Sequence, residues 1–211
     1  MATDIQPYAA GLYRSDASYL VPPAESPEFT GKIIEICNKE DVHVICIGTE
    51  LELLAFTKNK ERIEEETTAK VIVSPLETIE IANDKWKTYL FLKEHGFSAP
   101  PSILPKDINE IRKENFPLII KPRIGTSSKD VYVVRNFEEL TKYLPRVTNP
   151  IIQKYLPQRE NEYTSTSLTF NRKCYGVISM NRIMKFPGHT TRAIIGDFSD
   201  FNRTIKKVVE T

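Results

Sequence analysis

The chain has 211 residues, enough to bury a sizeable core in one domain or two small ones. Its 29 lysines and arginines against 28 aspartates and glutamates leave a formal charge of +1, which gives no bulk electrostatic reason to expect a nucleic acid or an anionic membrane as partner. No apolar run approaches the roughly 20 residues that a spanning helix needs, and MATDIQPYAAGLYRSD has neither a basic start nor an apolar stretch, so no membrane span or secretory leader is predicted. Cys37, Cys46 and Cys174 lie far apart and form no CxxC pair, so they read as reduced thiols of a cytoplasmic protein.

From Phe29 to Glu40, Ile33, Ile34 and Cys37 fall at helical spacing and precede Val42 to Ile47 (VHVICI), a run that predicts a strand buried on both faces. Leu51, Leu54 and Ala55 resume helical spacing ahead of the charged KNKERIEEE segment. Lys70 to Val73 (KVIV) predicts a second buried strand, closed by a Ser74-Pro75 turn. Strand–helix–strand alternation argues for a parallel sheet with covering helices. The next unit starts at Asn83-Asp84, where Trp86, Leu90, Phe91 and the closing His95-Gly96 mark an amphipathic helix, followed by the proline-rich connection SAPPS. From Phe116 the pattern changes. FPLIIKP is a strand, RIGTSSKD a polar loop, VYVV a strand, FEELTKYL a short helix and PIIQKYLP a strand. EYTSTSLTF and CYGVISMNRI then return through an Asn171-Arg172-Lys173 turn, which implies an antiparallel sheet. The fold class expected is an α/β front part, a partial Rossmann-like parallel sheet over residues 1–82, followed by an α+β region over 83–211.

Three elements carry chemistry. Lys121-Pro122-Arg123-Ile124-Gly125-Thr126-Ser127-Ser128-Lys129 places a point charge at a strand end and a Gly/Ser/Thr loop beyond it, a combination that suits phosphate oxygens and equally describes an ordinary hairpin loop. It is not a Walker loop, because GxxxxGK[ST] is absent. Asn83 or Asp84 reads as a helix cap. Lys85 in the first turn runs against the helix dipole, which suggests an anion nearby or an exposed lysine of no consequence. Ile151-Ile152-Gln153-Lys154-Tyr155-Leu156-Pro157, followed by Glu160, Asn161 and Glu162, could bind a flat adenine edge through its backbone and ribose hydroxyls through a carboxylate, or be a strand and a polar turn.

Taken in order, the DK pair at a helix start, FPLIIKP with its Gly/Ser loop and IIQKYLP…E resemble the ATP-grasp superfamily. TDIQPYAAGLY, TELELLA and VSPLETIEIANDK in the front part are similar to the carbamoyl-phosphate synthase large-subunit-like members. The resemblance implies an ATP-grasp domain over 83–211, with a first subdomain at 83–150 carrying the phosphate flap and a second beginning at 151–211. It implies ATP bound with its phosphates on Lys85 and Lys121, with Arg123 beside them and Gly125, Thr126, Ser127 and Ser128 in the flap. Gln153, Lys154, Tyr155 and Leu156 would flank adenine, and Glu162 would take the ribose, with Glu160 as its rival. Arg182 and Arg192 would face the transferred group, and His189 reads as a loop histidine. The implied chemistry is activation of a carboxylate or bicarbonate as an acyl phosphate for attack by an amine, with small-molecule acid and amine as partners.

Mg²⁺ is expected of the family, yet its Glu-x-Asn ligand pattern is missing, and after Arg192 only Asp197, Asp200 and Glu210 are acidic. No metal ligand is assigned. The resemblance also implies a further strand ahead of TDIQPYAAGLY and metal-binding strands after IKKVVE, so the chain is expected to be truncated at both ends, with a complementary chain as one source of the rest. A nucleotide-binding module without catalysis of its own is the alternative reading.

Overall fold

The computed structural model describes residues 1–125, 128–157, 162–186 and 189–211. The chain forms two compact units, Met1–Glu80 and Ile81–Thr211. In the first, β1 (Ala2–Asp4) and β2 (Ser18–Leu20) pair in parallel. Helix α1 (Phe29–Lys39), β3 (Val44–Cys46), α2 (Glu50–Glu66) and β4 (Lys70–Ile72) follow, and β3 pairs with β4 in parallel across the α2 crossover. Phe29, Ile33, Ile36 and Cys37 of α1 meet Phe56 and Ile63 of α2 and Val71 of β4 in one core, with Phe29 and Phe56 edge to face at 5.4 Å. Thr49 caps α2 by accepting from the Leu51 amide at 3.4 Å. The helix then continues through KNKERIEEE, where Ile63 is buried and Arg62 pairs with Glu66 at 2.8 Å on the wet side.

The expectation of strands buried on both faces needs correction. Register puts Ile45 beside Val71 toward the helices, whereas Val44 and Ile72, on the opposite face, are each 54% exposed. A two-stranded sheet with helices on one side covers only one face. Cys46 is exposed, Cys37 and Cys174 are buried, and all three are free thiols. Burial pushes the Cys37 thiol up.

Helix α3 (Leu76–Asn83) leads into α4 (Lys85–Glu94). Asp84 caps α4 through the Trp86 and Lys87 amides, and Gly96 at φ 73° takes the left-handed turn after it. Leu90, expected on a buried face, is 44% exposed. The strands β5 (Ser102–Ile103), β6 (Leu118–Pro122), β7 (Tyr132–Val134) and β8 (Pro150–Lys154), with α5 (Phe137–Tyr143) between the last two, form one antiparallel sheet in the order β5-β8-β6-β7. Leu118, Ile120, Val134, Leu140 and Ile152 fill the core on one side of it. Asn136 caps α5 by accepting from the Glu139 amide at 2.9 Å.

A second antiparallel sheet holds β9 (Tyr163–Phe170), β10 (Lys173–Phe186) and β11 (His189–Ile195) in the order β11-β10-β9. Asn171 and Arg172 both have positive φ, 49° and 59°, as a two-residue hairpin turn of matching twist requires. The final helix α6 (Ser199–Glu210) lies on this sheet, where Phe201 stacks on Tyr163 at 4.5 Å and Glu210 accepts from the Cys174 amide at 2.9 Å. The architecture is the expected α/β front part followed by an α+β part.

Candidate functional site

Antiparallel partners share a face of a sheet, so the register of β5, β8 and β6 sorts their side chains. Ser102, Gln153 and Ile119 lie in one row, with Lys121 two residues beyond Ile119 on the same face. Lys121 Nζ donates to Gln153 Oε1 at 2.8 Å, and Gln153 Nε2 donates to Ser102 Oγ at 2.8 Å. Ser102 Oγ in turn donates to the Pro100 carbonyl at 2.8 Å. This relay fixes the lysine's position with neutral groups and leaves its charge to be met otherwise. Burial and the nearby Lys85 ammonium both hold the Lys121 amine below the ordinary lysine range.

Lys85 is placed by a clamp at the start of α4. Its amide donates to the Arg123 carbonyl at 3.0 Å, and its Nζ donates to the Gly125 carbonyl at 3.0 Å. Asp84, only 6% exposed, takes the Arg123 guanidinium on both oxygens, at 3.1 and 2.5 Å. Burial pushes the Asp84 carboxyl up, but Arg123 and the Trp86 and Lys87 amides outweigh it and hold the group below the usual carboxylate range. The helix start and the loop after β6 are thereby tied together, with two ammonium groups close enough to repel. An anion between them would relieve that repulsion.

The remaining expected residues divide. Gly125 has φ 153°, Ser128 has φ 55° and both are exposed, while Thr126 and Ser127 lie outside the described residues. Asp130 also has φ 55°, so two side-chain-bearing residues of this loop take backbone conformations that favour glycine. Lys154 shares its row with Leu118, on the face opposite Gln153, and its Nζ donates to the Asn115 carbonyl at 3.0 Å. Tyr155 is half-buried, with its amide on the Pro117 carbonyl at 3.2 Å, and Leu156 is 60% exposed.

Glu162 Oε1 accepts from Arg182 Nη1 at 2.7 Å, and its Oε2 is buried with no hydrogen-bond partner among the described residues. Arg182 also donates to Thr190 Oγ1 at 2.6 Å. Arg182 pairs with Ala193 and Arg192 with Ile183, so the two arginines occupy opposite faces of the β10–β11 ladder, and Arg192 is exposed. His189 stands at the first position of β11, where a loop was expected. Glu160, Asn161 and Gly188 lie outside the described residues. Among the described residues, no group of three or more His, Cys, Asp or Glu is placed to hold a metal ion. Two participants were not singled out from the sequence: Ser102, hidden in a proline-rich connection, and Asp84 as the ion-pair partner of Arg123 in addition to its capping role.

An α/β unit with two parallel strand pairs followed by an α+β unit with a lysine-bearing sheet face defines the architecture. A family model described as "ATP-grasp domain" matches residues 82–211, more than half of the chain, and one described as "PylC-like, N-terminal domain" matches residues 1–72. The chain belongs to the ATP-grasp family. It is 30% identical over 155 residues to carbamoyl-phosphate synthase from Methanobrevibacter smithii, covering 72% of this chain and 41% of that protein. It is similar in fold to N5-carboxyaminoimidazole ribonucleotide synthetase from Thermus thermophilus (TM-score 0.67, 17% identity, 99% of this chain and 55% of that one). An ADP complex of an N5-carboxyaminoimidazole ribonucleotide synthetase gives TM-score 0.67 at 14% identity over 98% of this chain and 55% of that one. The chain thus spans about half or less of the length of these proteins. Among the described residues, no helix is long and apolar enough to cross a membrane.

Proposed function

We propose that the chain binds ATP on the Lys121 face and serves a ligation in which ATP activates a carboxylate, or bicarbonate, for attack by an amine. The observation that carries this reading is a half-buried Lys121 hydrogen-bonded to a neutral amide, Gln153, with Lys85 close enough to lower its proton affinity. Two cations arranged so are a receptor for phosphate oxygens, with Lys85 also holding the Gly125 carbonyl at the start of the loop beyond β6. Gln153, Lys154, Tyr155 and Leu156 lie along the proposed adenine edge; Lys154 would contribute its backbone, because its side chain is engaged behind the sheet. Glu162 is the carboxylate proposed for the ribose, with Oε1 on Arg182 and a buried Oε2 that has no hydrogen-bond partner among the described residues. Arg182, held by Glu162 and Thr190, is better placed than Arg192 to be oriented toward a transferred group.

In the reaction, a carboxylate oxygen attacks the γ-phosphorus and the bond to ADP breaks, giving an acyl phosphate. The amine nitrogen then attacks the acyl carbon, phosphate leaves, and the nitrogen loses a proton. No side-chain nucleophile is needed, and the residues above contribute position and charge. Within this reading residues 1–82 are the Rossmann-like part, 83–150 the flap-bearing subdomain and 151–211 the start of the second.

The test is equilibrium binding of ATP, followed by ADP release in the presence of small carboxylates and amines. Saturable binding with acid-dependent ADP release supports the ligase reading. Binding without release under every acid and amine makes the chain a nucleotide-binding module, and no binding by the folded chain overturns both.

A further inference from the structure

We infer that Ser102 is a positioning residue for ATP, a role that rests on the reading of Lys121 as a phosphate ligand. Its hydroxyl fixes which end of the Gln153 amide faces Lys121 and thereby holds that ammonium in place. Ser102 opens β5, the two-residue strand at the edge of its sheet, and Gln153 is its direct partner across the ladder. The polarity of the hydrogen bonds from Pro100 to Lys121 is set by chemistry at both ends. The Pro100 carbonyl can only accept, so the single hydroxyl proton of Ser102 goes to it, at 2.8 Å. The Ser102 oxygen is then left as an acceptor, and the group that meets it at 2.8 Å is the Gln153 amide nitrogen, a donor. This turns the amide oxygen toward Lys121, whose ammonium can only donate and does so at 2.8 Å.

Both ends agree on one orientation. With the amide reversed, its nitrogen would face an ammonium and its oxygen would face a hydroxyl whose proton is already committed, so neither contact could form. Ser102 is only 5% exposed, so removing its hydroxyl leaves the Gln153 nitrogen a donor whose buried acceptor is gone. The amide then gains by turning toward solvent, and its oxygen leaves Lys121. A lysine on a long, flexible stem depends on such a contact for a fixed approach to a phosphate oxygen, because its ammonium has no geometry of its own to impose. A serine that only completed a sheet edge would support the fold and leave Lys121 alone. The hydrogen bonds running from the Pro100 carbonyl through Ser102 and Gln153 give it this second part.

The experiment is calorimetric titration of ATP into the native chain, Ser102→Ala, Lys121→Ala and the double variant, each checked for folding by urea unfolding. Ser102→Ala is expected to weaken ATP by about threefold to tenfold, the worth of one hydrogen bond, and to add nothing further in the Lys121→Ala chain. Ser102→Thr, which keeps the hydroxyl, should retain native affinity to within about twofold. In isotope-labelled protein the Gln153 side-chain amide protons should exchange with solvent faster in Ser102→Ala than in the native chain. Ser102→Cys, close in size but a weak acceptor, takes the place of the alanine variant if that chain does not fold, with the same expectations. Native ATP affinity in the folded Ser102 variant, the same loss with and without Lys121, or unchanged Gln153 exchange would each overturn the role of Ser102 while leaving the nucleotide reading in place. ATP affinity that survives Lys121→Ala would overturn both.

Discussion

Lys121 brings together two costs that a structural lysine would avoid. Its ammonium is withdrawn from water and faces a second cation, and its hydrogen-bond partner is an amide that cannot neutralise it. Replacing it by alanine should therefore weaken ATP by about tenfold to a hundredfold, the roughly 1.5–3 kcal/mol of a hydrogen bond to a charged group. The pH dependence has a definite sign. A lysine held below its ordinary range loses its proton sooner than an ordinary lysine as pH rises. ATP affinity should accordingly decline on the alkaline side before the ordinary lysine range is reached, and Lys121→Arg should move that decline to higher pH in a pH series of binding isotherms. Asp84 works in the opposite sense. Its folded carboxyl titrates below the unfolded value, so the stability it adds is present above the ordinary carboxylate range and is lost as pH falls through the depressed value. Asp84→Ala removes a cap and strands Arg123 beside a loop it was holding; urea unfolding at neutral pH should show a loss of about 2–4 kcal/mol, shrinking as the pH is lowered.

At the scale of elements, what was legible follows from how each segment is buried. FPLIIKP and PIIQKYLP announce β6 and β8 because alternate residues enter a core: Leu118, Ile120 and Ile152 are all under 7% exposed. Ile120→Ala should cost about 2–5 kcal/mol in urea unfolding, since the site is fully buried and cannot collapse around a void. The strand β5 escaped notice because it has two residues and follows Pro100-Pro101, which reads as a connection. The strand β11 escaped because Thr190, Thr191 and Arg192 are exposed and their pairing rests on backbone ladders that leave no apolar pattern. VHVICI predicts a strand buried on both faces, because a continuous apolar run does not say how many strands flank it; the structure covers one face only. The site was legible in its charges and less so in its supports. Lys85, Lys121, Gln153 and Gly125 stand out by residue type and position, whereas the hydrogen bond from Gln153 to Ser102 spans 51 residues and needs the register of β5 on β8 to be seen. The loop after β6 offers a further prediction. Gly125 at φ 153° is strained by any side chain, so Gly125→Ala should weaken ATP several-fold while leaving adenosine affinity unchanged in parallel titrations.

For the whole molecule, the two units divide the labour that the sequence order suggests. Residues 82–211 match the ATP-grasp family and carry every group proposed to touch ATP, whereas residues 1–80 hold the core of α1, α2 and the two parallel strand pairs. The chain spans 41% of the carbamoyl-phosphate synthase it matches, and a shared fold does not name the acid or the amine. The nucleotide reading rests on the Lys121 face, and calorimetric titration of ATP and of adenosine into the native chain and into Lys121→Ala tests it most directly. The account predicts that the substitution lowers ATP affinity at least tenfold and leaves adenosine affinity unchanged. Equal ATP affinity in a folded Lys121→Ala chain would contradict it.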